Sequence, residues 1–172
     1  TVLECAAMEP EVEDLCNFLN ACGARITGIG GHCLVIEGVE RLHGCEYTII
    51  PDRIEAATYL VGALMTNSAV TVEGARPQHL IAVLDALREA GAELKIERDR
   101  ISNVPTADGK VRSVSITTHP YPGFPTDIQA QFAAGDRCSA LTTWPSSVLP
   151  SRCRSASGCF SARSRPRGRR IC

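Results

Sequence analysis

Apolar positions recur at helical spacing in two stretches. Pro10 to Cys22 places Val12, Leu15, Cys16 and Leu19 on one face, and Pro77 to Ala90 does the same with Leu80, Val83, Leu84 and Leu87. Each opens on a proline, which costs nothing in a helical first turn, and each is followed by a glycine, Gly23 or Gly91, suited to a C-terminal cap. The spacing therefore predicts two amphipathic helices, each burying one stripe against a sheet.

Each helix also leads into a matching phrase. Gly23-Ala24-Arg25-Ile26 answers to Gly91-Ala92-Glu93-Leu94. Ile26-Thr27, the turn Gly28-Ile29-Gly30-Gly31 and Cys33 to Glu37 read as a hairpin, with a counterpart in Leu94 to Ile96 and a return strand near Ile101. A strand over Tyr47 to Ile50 then leads to Pro51 and a new helix, and this region aligns with Gly123-Phe124-Pro125-Thr126-Asp127-Ile128. The two prolines stand 74 apart and the Gly-Ala phrases 68 apart, so the second hairpin region is expected to be about six residues longer. The chain thus repeats a unit of strand, helix, hairpin, strand and helix. The helix from Ile54 to Met65 is apolar nearly all round and belongs inside, with helices enclosed by sheets.

Composition divides the chain. Residues 1–132 carry 10 Lys and Arg against 18 Asp and Glu, whereas residues 133–172 carry 8 Arg against one Asp, with no Lys or Glu. The helix opened by Asp127 to Phe132 then enters Ala-Ala-Gly-Asp-Arg-Cys-Ser-Ala, and no periodicity persists beyond it. This tail reads as a disordered or out-of-frame segment. Its run from Arg163 to Arg170 could attract nucleic acid, but only Phe160 is near for stacking, and a solvated tail is the plainer reading. An ordinary soluble composition and a net charge of −1 exclude wholesale disorder and a uniformly basic nucleic-acid binder. No apolar run suits a membrane span, and the first residues lack a secretory-signal pattern. Of nine cysteines, the five in the body (Cys5, Cys16, Cys22, Cys33 and Cys45) form no zinc-spaced set and read as reduced, buried, small apolar residues of a cytoplasmic protein. The Gly28 to Gly31 turn precedes a strand, which argues against a dinucleotide site, and His32, His43, His79 and His119 are scattered, with turn or surface roles as the default.

Three phrases carry a resemblance: Glu37-Gly-Val-Glu-Arg-Leu-His-Gly44, Ile50-Pro-Asp-Arg-Ile-Glu55 and His119-Pro-Tyr-Pro-Gly-Phe-Pro-Thr-Asp-Ile-Gln-Ala-Gln-Phe132. Over residues 1–132 the chain resembles about the middle third of the UDP-N-acetylglucosamine 1-carboxyvinyltransferases, of the enolpyruvyl transferase family. The resemblance implies an α/β (α+β) fold of inverse α/β barrel repeats, helices inside and sheets outside, here incomplete. Residues 1–50 would finish a first domain and residues 51–132 begin a second, with the crossing at Ile50-Pro51 and the substrate cleft between the domains.

The activity so implied is transfer of enolpyruvyl from phosphoenolpyruvate to the 3-hydroxyl of UDP-N-acetylglucosamine with release of phosphate, the first committed step of peptidoglycan synthesis. No cofactor or metal is implied. A sugar hydroxyl is a weak nucleophile near neutral pH, so a positioned carboxylate helps it. Asp127 matches the family's aspartate at that hydroxyl, and Thr126, Arg53, Asp52 and Glu9 match substrate-contacting positions. Thr126 or Asp127 after Pro125 is also the pattern of a helix N-cap, and Asp52-Arg53 that of a capped helix with a surface ion pair. An arginine suits substrates bearing phosphates and a carboxylate. The family's Lys-Asn pair and loop cysteine fall upstream of this stretch, and a closing arginine falls downstream. The 172 residues alone are therefore expected not to turn over, and to leave apolar surface uncovered. The alternatives are the shikimate-pathway enolpyruvyl transferase and a non-catalytic scaffold whose basic tail binds nucleic acid.

Overall fold

The structure, a computed structural model, describes residues 1–138. The first unit contains β1 (Val2–Glu4), α1 (Pro10–Ala21), β2 (Arg25–Thr27) and β3 (Cys33–Glu37). Its antiparallel sheet has the order β1-β3-β2, with Val2 opposite Val35 and Ile26 opposite Ile36. The second unit repeats this with β4 (Val70–Glu73), α3 (Ile81–Glu89), β5 (Glu93–Ile96) and β6 (Arg100–Val104). Its order is β4-β6-β5, with Val72 opposite Ile101. Between the units lies α2 (Arg53–Met65), and α4 (Gln129–Cys138) closes the described chain. The mixed α/β architecture and the repeat are therefore both present.

The helix ends show why the copies look alike. Gly23 and Gly91 have φ of +98° and +104°, a region that an L side chain enters only with strain. Beyond them, the Ala24 N–H donates to the Leu19 carbonyl and the Ala92 N–H to that of Leu87, while the glycine N–H groups donate to Asn20 and Arg88. This paired bonding satisfies the last carbonyls of each helix. The chain then returns to cover the same end: the His43 N–H donates to the Cys22 carbonyl, and the Arg112 N–H to the Ala90 carbonyl, both at 2.8 Å. A Cβ on Gly91 would stand 3.2 Å from the Lys110 carbonyl oxygen.

Helix α2 forms the centre. Its N-cap is Asp52, whose carboxylate accepts from the Ile54 and Glu55 N–H groups. Ala57, Leu60 and Val61 pack with Leu80, Val83 and Leu87 of the α3 segment, Ile101 of β6, and Phe124 and Ile128. Leu60, Leu87 and Ile101 are fully buried, and truncating Leu60 to Ala would cost about 2–5 kcal/mol. One strip of α2 stays open at Glu55, Thr58 and Tyr59, so the enclosure expected of this helix is incomplete. The first unit has a thinner core of Cys16, Ile26 and Leu34. Leu3, Leu15, Phe18, Leu42 and Ile49 stand exposed there. No helix among the described residues is long and apolar enough to cross a membrane.

Several expectations need correction. Tyr47 to Ile50 is not a strand; residues 38–52 run without regular structure, anchored by side chains instead. The stretch from Pro77 is a 3-10 turn over Pro77–His79 followed by α3, because Leu80 leaves helical geometry at φ −119° as it enters the core. The longer second copy owes its length less to the hairpin than to residues 113–124, beyond the return bond at Arg112. Cys16 and Cys22 are buried as expected, but Cys45 is half-buried, Cys5 is exposed just after β1, and Cys33 is exposed on the open face of β3. Helix α4 runs six residues past Phe132 before the described residues end. The remainder of the tail, including the Arg163 to Arg170 run, lies outside the described residues.

Two glycines give opposite expectations. Gly91→Ala should destabilise the chain by about 1–3 kcal/mol, since both its φ and the Lys110 carbonyl oppose a side chain. Gly62→Ala, mid-helix with nothing within 4 Å of its Cβ, should stabilise by about 0.5–1 kcal/mol. Urea unfolding of both variants measures the difference.

Candidate functional site

Between the first unit and the start of α2 lies an open cleft of about 770 Å³, walled by Val12, Leu15, Phe18, Tyr47 and Ile49 on its apolar side. A second, narrower cavity of about 360 Å³ lies under the loop from Thr118 to Thr126. Glu9, Arg53 and Asp127 line both, and so mark the place where the two spaces meet.

Arg53 organises this junction. Only 7% of its side chain is exposed, and a buried guanidinium needs partners. Its Nε donates to Glu11 Oε1 at 2.8 Å and its Nη2 to Oε2 at 3.3 Å, a two-point clasp on the first turn of α1. The Tyr121 ring lies 5.5 Å from the guanidinium carbon, within range of a cation–π contact. Tyr121 belongs to the extra residues of the second copy, so the insertion supplies the cover of the arginine. Glu9, at the N-cap position of α1, makes no side-chain cap bond, and its Oε2 is buried without a donor. Among the described residues this acceptor, at the junction, has no donor.

Asp127 sits on the 3-10 turn Thr126–Ile128 that leads into α4, held from beneath by fully buried Ile128. Pro125 takes the N-cap position, with no side-chain cap bond, so neither Thr126 nor Asp127 fills the capping role that their pattern allowed. Among the described residues the Asp127 carboxylate has no hydrogen-bond partner; it is exposed at a helix entrance that favours negative charge. Thr126 lines only the narrower cavity. Asp52 lines only the wider cleft, and its carboxylate is committed to capping α2. The sequence-predicted set therefore divides: Glu9, Arg53 and Asp127 converge, Thr126 flanks them, and Asp52 holds the helix that carries Arg53.

Four neighbours had no signal in the sequence. Glu11 and Tyr121 partner Arg53 from elements 42 and 68 residues away. Tyr47 donates to Asp14 Oδ1 at 2.8 Å, which raises the Tyr47 pKa above the ordinary tyrosine value and pins the connecting segment to α1. His79, given a turn or surface role by default, does sit in the Pro77–His79 turn, but half-buried, and its Nδ1 has no partner among the described residues. Burial, then the Arg76 and Arg53 charges, lower its pKa, against the opposing pull of Glu11 and Glu13. His119 is exposed, as its default role allowed, and lines the narrower cavity.

Three measurements check this arrangement. Asp52→Ala should cost about 0.5–2 kcal/mol, whereas Asp52→Asn, an equally good cap, should cost little. Glu11→Ala should destabilise by about 1–3 kcal/mol, because it strands the buried Arg53 guanidinium; urea denaturation reads both. Because its pKa is lowered on folding, neutral His79 contributes stability above its unfolded value near 6.5, lost as pH falls below it. The fall in unfolding midpoint between pH 7 and pH 5 should therefore be shallower in His79→Gln.

The family model described as EPSP synthase (3-phosphoshikimate 1-carboxyvinyltransferase) matches residues 1–140. Among curated relatives, the UDP-N-acetylglucosamine 1-carboxyvinyltransferase of Prochlorococcus marinus is 53% identical over 134 residues, covering 78% of this chain and 30% of the relative. That of Hydrogenovibrio crunogenus is 54% identical over 132 residues, covering 77% and 31%. The chain thus spans about a third of the length of these relatives. Among solved structures, the enolpyruvyl transferase NikO from Streptomyces tendae superposes with a TM-score of 0.62 at 24% identity, over 78% of this chain and 32% of that one, a likeness of fold. With a repeated β-α-β-β unit of the same architecture and a family match over most of its residues, this chain belongs to the EPSP synthase family of carboxyvinyltransferases.

Proposed function

We propose that these residues form part of an enzyme that transfers enolpyruvyl from phosphoenolpyruvate to the 3-hydroxyl of UDP-N-acetylglucosamine with release of phosphate, in the cytoplasmic stage of peptidoglycan synthesis. The observation that carries this reading is the convergence of Asp127, Arg53 and Glu9 where two cavities meet. The names of the relatives support the choice of substrate. In this reading residues 1–50 complete one domain and residues 51–132 open the next.

The chemistry follows from the side chains. The carboxylate of Asp127, with no partner among the described residues, accepts the proton of the sugar hydroxyl as its oxygen attacks C2 of phosphoenolpyruvate and C3 takes up a proton. Loss of a proton from C3 then expels phosphate and restores the double bond. Thr126, beside it, offers a hydroxyl to the sugar. Two of the Arg53 nitrogens hold Glu11, and Nη1, which makes no bond among the described residues, is left for an anionic group of the substrates. The unpartnered Glu9 Oε2 accepts from a substrate hydroxyl or amide. Asp52 acts indirectly, by fixing the first turn of α2.

The family description names the shikimate-pathway reaction. The relatives at about half identity carry the nucleotide-sugar name, and that favours the nucleotide sugar. The test is a chimera: the matching third of the Prochlorococcus marinus relative is replaced by residues 1–134 of this chain. Phosphate release should depend on both substrates, and Asp127→Asn should lower kcat about 10²–10⁴-fold without unfolding the protein. Turnover within tenfold of the parent chimera would remove Asp127 from the role of base. The 172-residue chain alone should release no phosphate.

A further inference from the structure

Away from the cavity junction, two thiols meet. Cys22 caps the C-terminal end of α1 and Cys45 lies in the connection between the units, yet their sulfur atoms are 3.3 Å apart. Two anchors hold Cys45 in place. On one side the His43 N–H donates to the carbonyl of Cys22 itself, and on the other the Tyr47 hydroxyl donates to Asp14. The connection has no regular structure between them, so the approach of about 1.3 Å needed to go from 3.3 Å to a disulfide length of about 2.0 Å asks little of the backbone. Cys45 is part-exposed and lines the wider cleft, which gives a small oxidant access to a pair whose other member is buried.

We propose that Cys22 and Cys45 form a reversible dithiol, closed to a disulfide by a hydroperoxide. In the first step the Cys45 sulfur takes the terminal oxygen of hydrogen peroxide, giving a sulfenic acid and water. In the second the Cys22 sulfur displaces that oxygen as a second water, and the S–S bond forms. Two thiols are oxidised by two electrons, and one peroxide is reduced. An external dithiol returns both to the reduced state. The bond to Cys22, then burial, raises the Cys45 pKa, so closure should quicken as pH rises through the alkaline range. The cross-link would fasten the connection to α1 and so stiffen the cleft wall that carries Tyr47 and Ile49. This inference stands apart from the enzymatic reading, since it needs no substrate.

The experiment treats the full 172-residue chain with one equivalent of hydrogen peroxide, alkylates the remaining thiols and maps the peptides by mass spectrometry. The expected result is loss of two of the nine thiols together, with a peptide pair containing Cys22 and Cys45 lighter by about 2 Da and restored by dithiothreitol. Cys45→Ala and Cys22→Ala should each abolish the pair, and Cys22→Ala should leave Cys45 trappable as a sulfenic acid, while Cys33→Ala, on an exposed strand position, should leave the pair unchanged. The proposal is overturned if Cys22 and Cys45 both remain alkylatable once exposed Cys5 and Cys33 have reacted, or if cross-links spread equally to Cys16.

Discussion

A positive charge with little access to water sets the terms of this molecule. The guanidinium of Arg53 is buried where two units join, and a bare cation there would cost several kcal/mol. Its position is resolved by a carboxylate from α1 and an aromatic face from the loop before Pro125. Each unit thereby contributes to one electrostatic need. The walls that meet this need are also the walls of both cavities, so the demand for a partner and the formation of a recess are one arrangement.

The two copies share a topology but not a core. In the second, α2 and α3 cover the sheet and Ile101 disappears into a continuous apolar cluster. In the first, three small or medium side chains make the interior, and aromatic and aliphatic groups face outward along the cleft. The better-packed unit carries Asp127 and Arg53, and the looser one carries Glu9 and Glu11. The site therefore pairs a rigid floor with a wall held largely by side-chain bonds, among them Tyr47 to Asp14.

Much of the fold was legible because it is written in local chemistry. Prolines and glycines bracketed both amphipathic helices, and the Gly-Ala phrases found the hairpins because a positive φ tolerates few other residues. The strand expected at Tyr47 to Ile50 has β-branched residues suited to a sheet, but the segment runs without regular structure and is held by the Tyr47 bond to Asp14. At the site, Asp127 and Arg53 are singled out through their phrases and Glu9 through its match to an acidic family position, and all three line the junction of the cavities, whereas the Asp52 carboxylate is spent on a helix cap. Glu11 and Tyr121 stayed hidden because their meeting with Arg53 is a property of the packed units and not of any spacing along the chain. His79 was invisible for the same reason: only packing beside Arg76 and Arg53 distinguishes it from a surface histidine.

The return bonds to the helix ends bear on how the molecule is made. The C-cap carbonyl of α1, on Cys22, is covered by the residue 43 N–H, and that of α3, on Ala90, by the residue 112 N–H, each some twenty positions later. During synthesis from the N-terminus, each unit therefore has its helix and hairpin in hand before its clasp leaves the ribosome. A nascent chain that has emerged from the ribosome as far as residue 105 would hold a finished first unit and a second whose α3 end is still open to water. A pause at that stage would prolong this half-latched state, whereas one after residue 112 has emerged would act on a unit already closed.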